Sequence, residues 1–183
     1  APFGLDLSLD VFDRATRFAR GLFEDADSTI VLVKDGVAWR SRFDNLPDKD
    51  PAAEEVISTG RLLWIEDALL DPRFADGPLV TGPPYLRSYI AVPIKLADGS
   101  TPGVLCVVSR VPQPFDRAQA DRLASLAEFV ADEWVRANAA KALETTRSTL
   151  EALVATMPTS LVMTDKNLGV IAASSLWARS LGV

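Results

Sequence analysis

Residues 86–110 read LRSYIAVPIKLADGSTPGVLCVVSR and predict a β-hairpin at the centre of the fold. The segments 86–96 and 102–110 are both rich in β-branched and other apolar residues. Asp98-Gly99 between them is a dipeptide typical of tight hairpin turns. Because apolar residues follow one another within each segment instead of alternating with polar ones, we expect two central strands covered on both faces.

The residues before this hairpin predict two helices and three shorter strands. Apolar residues recur every three or four positions over 7–24, which is typical of an amphipathic helix. Residues 51–60 predict a second helix, with a proline early and a glycine at its end. β-branched and apolar runs predict strands at 29–33, 37–41 and 62–65. The predicted boundary signals are N-cap candidates at Asp6, Ser8 and Asp10 and a turn at Asp35-Gly36.

A long irregular segment spans residues 66–84. It contains six residues that interrupt regular structure: Pro72, Gly77, Pro78, Gly82, Pro83 and Pro84. We therefore expect a loop with at most one or two turns of helix. Loops of this length in compact domains usually have a function, and we expect this one to cover a face of the sheet beside Tyr89 and Cys106.

From Asp116 to Met157 the pattern is helical and contains neither glycine nor proline. One interpretation is a pair of helices with a break near Asn138. The other is a coiled-coil connector whose apolar stripe meets a second chain. After Pro158, residues 160–164, 165–167 and 170–172 predict a strand, a turn and a strand, followed by a helix from residue 174.

Composition excludes several classes of function. The net charge is −6, and Lys and Arg are scattered, so we expect no nucleic-acid partner. No apolar run is long enough to span a bilayer, and a single cysteine is typical of a reducing compartment; we expect a cytoplasmic protein. The chain has no histidine, which excludes Ser-His-Asp and Cys-His catalysis and His-ligated haem or zinc. Because the chain begins at Ala1 without a methionine, we expect it to be part of a longer protein.

The order of these elements, with several local motifs, resembles the GAF domain over about residues 5–137. The motifs are Asp71-Pro72-Arg73-Phe74, Pro78-Leu79-Val80, residues 86–94, Asp98-Gly99, residues 103–108, Val111-Pro112 and Leu123 to Val130. The resemblance implies an α+β sandwich: an antiparallel sheet with helices on one face and a loop-covered pocket on the other, plus a long C-terminal helix. It also implies a homodimer placed upstream of a histidine kinase or of an enzyme that makes or degrades cyclic di-GMP.

The C-terminal residues resemble the first third of a PAS domain. The matching residues are Leu153, Met157-Pro158, Leu161 to Asp165, Val170-Ile171 and Trp177 to Gly182, although Ser174 and Ser175 stand where that family often has Asn. The predicted organisation is a GAF-like domain at 1–137, a helical connector at 138–157 and the start of a PAS-like domain at 158–183. Asp165 stands where Asp commonly bonds its own backbone, and we assign it no chemistry.

Two sets of residues are candidates for function. A small-molecule pocket beside the long loop would use aromatic and charged residues: Trp64, Asp71, Arg73, Phe74, Tyr85, Arg87 and Tyr89. A dimer interface would use the apolar residues Phe12, Phe18, Val130, Trp134, Ala137, Leu143 and Leu150. The alternative is that the aromatic residues fill the core and the charges pair with one another. Cys106 lies in an apolar strand with no neighbouring base, so we expect it to be buried and expect neither bilin nor haem.

These observations predict a sensory fragment of a bacterial signalling protein, with no catalytic residues and no metal of its own. The helical connector would relay either the binding of a small molecule or the geometry of the dimer to an output domain in the same chain. The alternative is a ligand-free GAF domain that only holds two output domains together.

Overall fold

A computed structural model describes residues 9–34, 37–41, 50–156 and 162–174 of the 183-residue chain. The chain divides into two compact units, Ala1–Arg136 and Ala137–Val183. The first unit contains the elements α1 (Leu9–Arg20), β1 (Ala26–Lys34), β2 (Val37–Arg40), α2 (Pro51–Thr59), β3 (Leu63–Ile65), α3 (Pro78–Thr81), β4 (Ser88–Ile94) and β5 (Gly103–Ser109). The helix α4 (Arg117–Thr156) begins in the first unit and ends in the second, where β6 (Val162–Thr164) and β7 (Val170–Ala173) follow it.

The first unit is built on a five-stranded antiparallel sheet in the order β2-β1-β5-β4-β3. The predicted hairpin of β4 and β5 lies inside this sheet. Cys106 at the middle of β5 pairs with Thr29 on one side and with Ala91 on the other. Every residue of β5 is buried, and so is every residue of β4 except Pro93. The structure therefore confirms that both strands are covered on two faces.

The two faces of the sheet carry different parts of the core. One face presents Val31, Ala91, Val104, Cys106 and Val108, which pack with α2 and with the segment after β3. The next residues along each strand point to the opposite face, because side chains alternate along a strand. Helix α1 packs against β1 and β5 and buries Phe12, Ala15 and Ala19.

Helix α2 has clear start and stop signals. The Asp50 carboxylate accepts hydrogen bonds from the amides of Ala52 and Ala53, and Pro51 occupies the first turn. Gly60 follows the helix with φ 62°, and its amide donates to the Val56 carbonyl. The prediction of a helix at 51–60 is confirmed to within one residue.

Residues 66–84, here called the lid loop, are irregular apart from the four-residue helix α3 and successive turns. Phe74, Leu79 and Val80 of this loop pack against the core face that holds Tyr89 and Cys106. The lid loop therefore covers that face, as predicted.

Helix α4 is 40 residues long and continuous through Asn138, so the alternative of two helices broken there is wrong. Within the second unit, Val162 pairs with Ala173 and Met163 with Ala172. The Asp165 carboxylate accepts hydrogen bonds from the amides of Asn167 and Gly169, both at 2.8 Å. This confirms the strand-turn-strand pattern and the local role expected of Asp165.

Some predictions lie outside the described residues. They are the cap candidates Asp6 and Ser8, the turn at Asp35-Gly36, and the PAS-like residues Met157-Pro158, Leu161 and Trp177 to Gly182. None of the helices among the described residues combines the length and the apolar character that a membrane crossing requires.

Candidate functional site

A cavity of about 310 Å³ lies beneath the lid loop, between α2 and the edge of the sheet formed by β3 and β4. Its lining is mostly apolar. The lining residues are Asp50, Pro51, Ala52, Ile65, Ala68, Arg73, Phe74, Gly77, Pro78, Leu79, Val80, Leu86 and Tyr89. A concave, mainly apolar site with a few polar groups is typical of small-molecule binding.

Asp50 and Tyr89 form the buried polar part of this cavity. The Tyr89 hydroxyl donates a hydrogen bond of 2.6 Å to Oδ2 of Asp50. The other carboxylate oxygen, Oδ1, accepts the two amides at the start of α2, at 3.1 and 3.2 Å. Asp50 is only 8% exposed. One carboxylate thus joins the start of α2 to strand β4 of the sheet.

Cys106 lies behind Tyr89, with its Sγ 3.3 Å from the tyrosine hydroxyl. Burial, together with the negative charge of Asp50, raises the pKa of the Cys106 thiol to about 12. Burial also raises the pKa of Tyr89 well above its usual value. Both groups therefore stay protonated at neutral pH. The prediction that Cys106 is buried is confirmed.

Arg73 stands at the rim of the cavity and is held by three groups. Asp71 accepts from Nε at 3.1 Å and from Nη2 at 2.9 Å, and Glu55 of α2 accepts from Nη1 at 3.3 Å. The guanidinium also lies over the Phe74 ring, 5.1 Å from its centroid. The hydrogen bonds from Arg73 lower the pKa of Asp71. Through Glu55, Arg73 links the lid loop to α2.

A second pair fixes the base of the lid loop. Arg87, just before β4, donates from Nε and Nη2 to the two Asp67 oxygens at 2.9 and 2.6 Å. These bonds hold the pKa of Asp67 below its usual value. In addition, the Ala68 amide donates to the Arg87 carbonyl and the Leu86 amide to the Leu79 carbonyl.

Glu66, the first residue of the lid loop, is bonded to the segment that leads into α4. Its carbonyl accepts from the Gln113 amide at 2.9 Å, and its carboxylate accepts from the Phe115 amide at 3.0 Å. Asp116 follows at once and caps α4 through the amides of Ala118 and Gln119. The lid loop and the start of α4 therefore share a direct hydrogen-bonded connection.

The structure brings three of the seven predicted ligand-binding residues to the cavity: Arg73, Phe74 and Tyr89. Asp71 contributes through its bonds to Arg73. The other three lie elsewhere. Trp64 packs on Phe115 and donates to the Gln113 carbonyl at 2.8 Å. Arg87 is engaged by Asp67, and Tyr85 is 58% exposed with φ 61°.

Asp50 was not among the predicted site residues. Its sequence signal is an Asp directly before a proline at a helix start, which identifies an N-cap. Its second role depends on Tyr89, which lies 39 residues further along the chain. No local pattern indicates that contact.

The residues predicted for a dimer interface fall into two groups. Phe12 and Val130 are fully buried and Trp134 nearly so. Their side chains pack within the chain itself and leave little surface for a second chain, and a role for them in a dimer interface stays a prediction. Phe18, Leu143 and Leu150 are exposed, while Ala137 is partly exposed.

Comparison with known proteins identifies the family. Residues 8–134 match the profile of the GAF domain. The chain is 39% identical over 109 residues to the cyclic di-GMP phosphodiesterase PA2567 of Pseudomonas aeruginosa; the match covers 57% of this chain but only 19% of that protein. The chain therefore spans about a fifth of the length of this relative.

Two solved structures have the same fold. One is a GAF domain/HD domain protein from Geobacter sulfurreducens, with a TM-score of 0.54 and 18% identity over 73% of this chain and 95% of that one. The other is a type II free methionine-R-sulfoxide reductase from Thermoplasma acidophilum, with a TM-score of 0.54 and 16% identity over 70% of this chain and 94% of that one. At these identities the likeness concerns the fold alone. Taken with the matched profile and the five-stranded sheet, it leads to one conclusion: the chain belongs to the GAF domain family.

Proposed function

We propose that this chain is the sensory part of a cytoplasmic bacterial signalling protein. A small molecule enters the cavity under the lid loop, and the resulting change in the lid loop reaches α4. Helix α4 then passes the change, through a PAS-like domain beginning near residue 158, to an output domain, which is a histidine kinase or an enzyme that makes or degrades cyclic di-GMP. GAF domains are typically regulatory, and the chain itself would have no catalytic activity.

The observation that carries this proposal is the position of the lid loop. Phe74, Leu79 and Val80 line the cavity, while Glu66 of the same loop is bonded to Gln113 and Phe115 just before α4. A ligand that favours one arrangement of the lid loop therefore acts on residues in contact with the start of α4. A ligand whose binding free energy differs by a few kcal/mol between two arrangements of the lid loop is enough to shift their populations.

The similarity to PA2567 supports a cyclic di-GMP enzyme as the output domain, since that relative is named as a cyclic di-GMP phosphodiesterase. The hairpin of β6 and β7, with its Asp165 turn, supports the start of a PAS-like domain. Both remain proposals about the longer protein.

A fragment screen followed by NMR of the 15N-labelled chain tests the ligand site. We expect shifts to cluster at Ile65, Phe74 and Tyr89 and to extend to residues 113–119. The matched control is Leu79→Trp, which fills the cavity and should abolish these shifts while the spectrum of the β4–β5 hairpin persists. Fragments that bind the wild type and Leu79→Trp equally well would show that the cavity is not the site.

A ligand-free dimerisation module is the second candidate. The observation that favours it is the exposure of Leu143, Leu150 and Leu153 on α4, because apolar residues at such spacing are typical of helix pairing. It predicts that no fragment perturbs the cavity and that the dimer is the same in wild type and Leu79→Trp.

A further inference from the structure

The carboxylate of Asp50 has room for a ligand. Asp50 is one of the lining residues of the cavity although it is almost wholly buried. An ionised carboxylate offers about four acceptor positions. Among the described residues three donors approach it: the amides of Ala52 and Ala53 and the hydroxyl of Tyr89. One acceptor position therefore has no donor among the described residues and is open to a donor inside the cavity.

The charges around the cavity are mainly negative. Arg73 is the one cationic side chain among the described lining residues, and it is engaged by Asp71 and Glu55. Among the described lining residues and their ion-pair partners, three carboxylates, those of Asp50, Asp71 and Glu55, thus accompany one guanidinium. Arg40, which pairs with Val31 in the sheet, also acts electrostatically on Cys106, and its Nη1 is buried without a hydrogen-bond partner among the described residues. It is not one of the lining residues of the cavity. Among the described lining residues, an anion entering this cavity would meet Asp50 and no cation other than the engaged Arg73.

The structure assigns this cavity to a small molecule that has an apolar body and a protonated amine, with the ammonium group bound to Asp50. The inference rests on the proposed function, since it takes the cavity to be a ligand site. A buried carboxylate is costly unless it is paired and hydrogen-bonded, and an ammonium group provides both the opposite charge and a donor. Phe74, Leu79, Val80 and Leu86 provide an apolar surface for the rest of the molecule.

The same features disfavour a cyclic dinucleotide as the occupant. The cavity, at about 310 Å³, lies at the lower end of the range for ligand pockets, roughly 300–1,000 Å³. A dinucleotide with two phosphates is a bulky dianion, so it differs from the site in both size and charge. If the output domain acts on cyclic di-GMP, this domain responds to a different molecule.

Three probes of nearly equal shape test the inference: 2-phenylethylamine, 2-phenylethanol and 3-phenylpropanoate. Their affinities for the wild-type chain are measured by NMR titration at neutral pH. Both the amine and the alcohol can donate to the Asp50 carboxylate, but only the ammonium group brings an opposite charge to that hydrogen bond. We therefore expect the amine to bind about tenfold more tightly than the alcohol and the carboxylate to bind most weakly. In Asp50→Asn, which keeps an acceptor for α2, the amine and the alcohol should bind equally.

A second measurement avoids dependence on the stability of Asp50→Asn. In the wild-type complex, the methylene next to the amine nitrogen should give NOEs to the Tyr89 ring, and the phenyl ring should give NOEs to Leu79 and Val80. If the alcohol or the carboxylate binds more tightly than the amine, the inference about an ammonium group is overturned, while the cavity would still be a ligand site. Failure of all three probes to perturb the cavity would count against the proposed function itself.

Discussion

The Tyr89 hydroxyl and the Asp50 carboxylate, 39 residues apart in sequence, are joined by a buried hydrogen bond of 2.6 Å. Asp50 begins α2, and Tyr89 lies in β4 next to the central strand. The bond therefore holds the helix that forms one side of the cavity against the sheet that forms its floor. The fold and the candidate ligand site depend on the same two side chains.

Tyr89→Phe should lower the free energy of unfolding by about 1–3 kcal/mol, because it removes a donor from a buried carboxylate. Urea denaturation measures the change. Tyr85→Phe is the matched control: Tyr85 is largely exposed, and its substitution should leave stability within about 0.5 kcal/mol of wild type. Equal effects of the two substitutions would contradict the role assigned to the Tyr89 hydroxyl.

Cys106 should make the domain less stable at alkaline pH. Its pKa rises from an ordinary value near 9 to about 12 in the folded protein. Between these values the unfolded chain loses the thiol proton and the folded chain keeps it, so the free energy of unfolding falls as pH rises. Below about pH 9 the Cys106 thiol is protonated in both the folded and the unfolded chain, so it adds no pH dependence to the free energy of unfolding. The raised pKa of Tyr89 acts in the same direction above pH 10.

Urea titrations at pH 8 and pH 10.5 measure this dependence, and Cys106→Ala should reduce it. A slope unchanged in Cys106→Ala would show that other groups cause it. In the native wild type, a thiol reagent should label Cys106 only as fast as the domain opens, since a buried thiol is unreactive. Rapid labelling under native conditions would contradict the burial.

Gly103 is required by close packing between strands. A Cβ there would lie 2.7 Å from Cδ2 of Leu32 and would overlap the Val31 carbonyl oxygen. Gly103→Ala should therefore cost about 1–3 kcal/mol through overpacking. The comparison variant is Gly60→Asn: Gly60 has φ 62° and only ordinary contacts, and Asn tolerates this conformation. If thermal denaturation shows the Gly60 variant to be the less stable of the two, the packing argument fails.

The exposed residues of α4 should mediate self-association. Leu143 is 73% exposed, and Leu150 is also exposed, seven residues and two helical turns later. Leu143→Glu with Leu150→Glu should shift the chain from dimer to monomer in light scattering at tens of micromolar. Ala152→Glu places a charge on another exposed side of the helix and should leave the dimer intact. A wild-type chain that is monomeric at this concentration would contradict the prediction.

Local signals explain which parts of the fold could be predicted. The β4–β5 hairpin follows from two apolar runs and Asp98-Gly99, and α2 follows from Pro51 and Gly60; each signal lies within a few residues of its effect. Local sequence signals predict the residues of the cavity only in part. Arg73, Phe74 and Tyr89 were identifiable as aromatic or charged residues beside an irregular segment.

The remaining site residues depend on contacts that no short pattern encodes. Arg87 has the chemistry of a ligand-binding residue, but it is occupied by Asp67, 20 residues earlier. Asp50 has the pattern of a helix cap, yet its partner Tyr89 is on a distant strand. Similarly, an apolar stripe does not separate Phe12 and Val130, which are buried within the domain, from Leu143, which is exposed.

The lid loop should open more easily than the strands of the sheet. It relies on turns and on surface pairs such as Arg73 with Glu55, and exposed pairs stabilise weakly. Without any ligand, amides of residues 67–81 should exchange with solvent faster than those of residues 90–94. Equal protection of the two segments would mean that the loop is simply part of the core.

Hydrogen exchange with and without saturating 2-phenylethylamine is the most direct test of the relay from cavity to helix. In the wild type, the amine should slow exchange both in the lid loop and at residues 113–122. In Glu66→Ala, which removes the carboxylate bonded to the Phe115 amide, the lid loop should still be protected while the effect at residues 113–122 falls. Protection confined to the lid loop in the wild type, with residues 113–122 unchanged, would contradict the account.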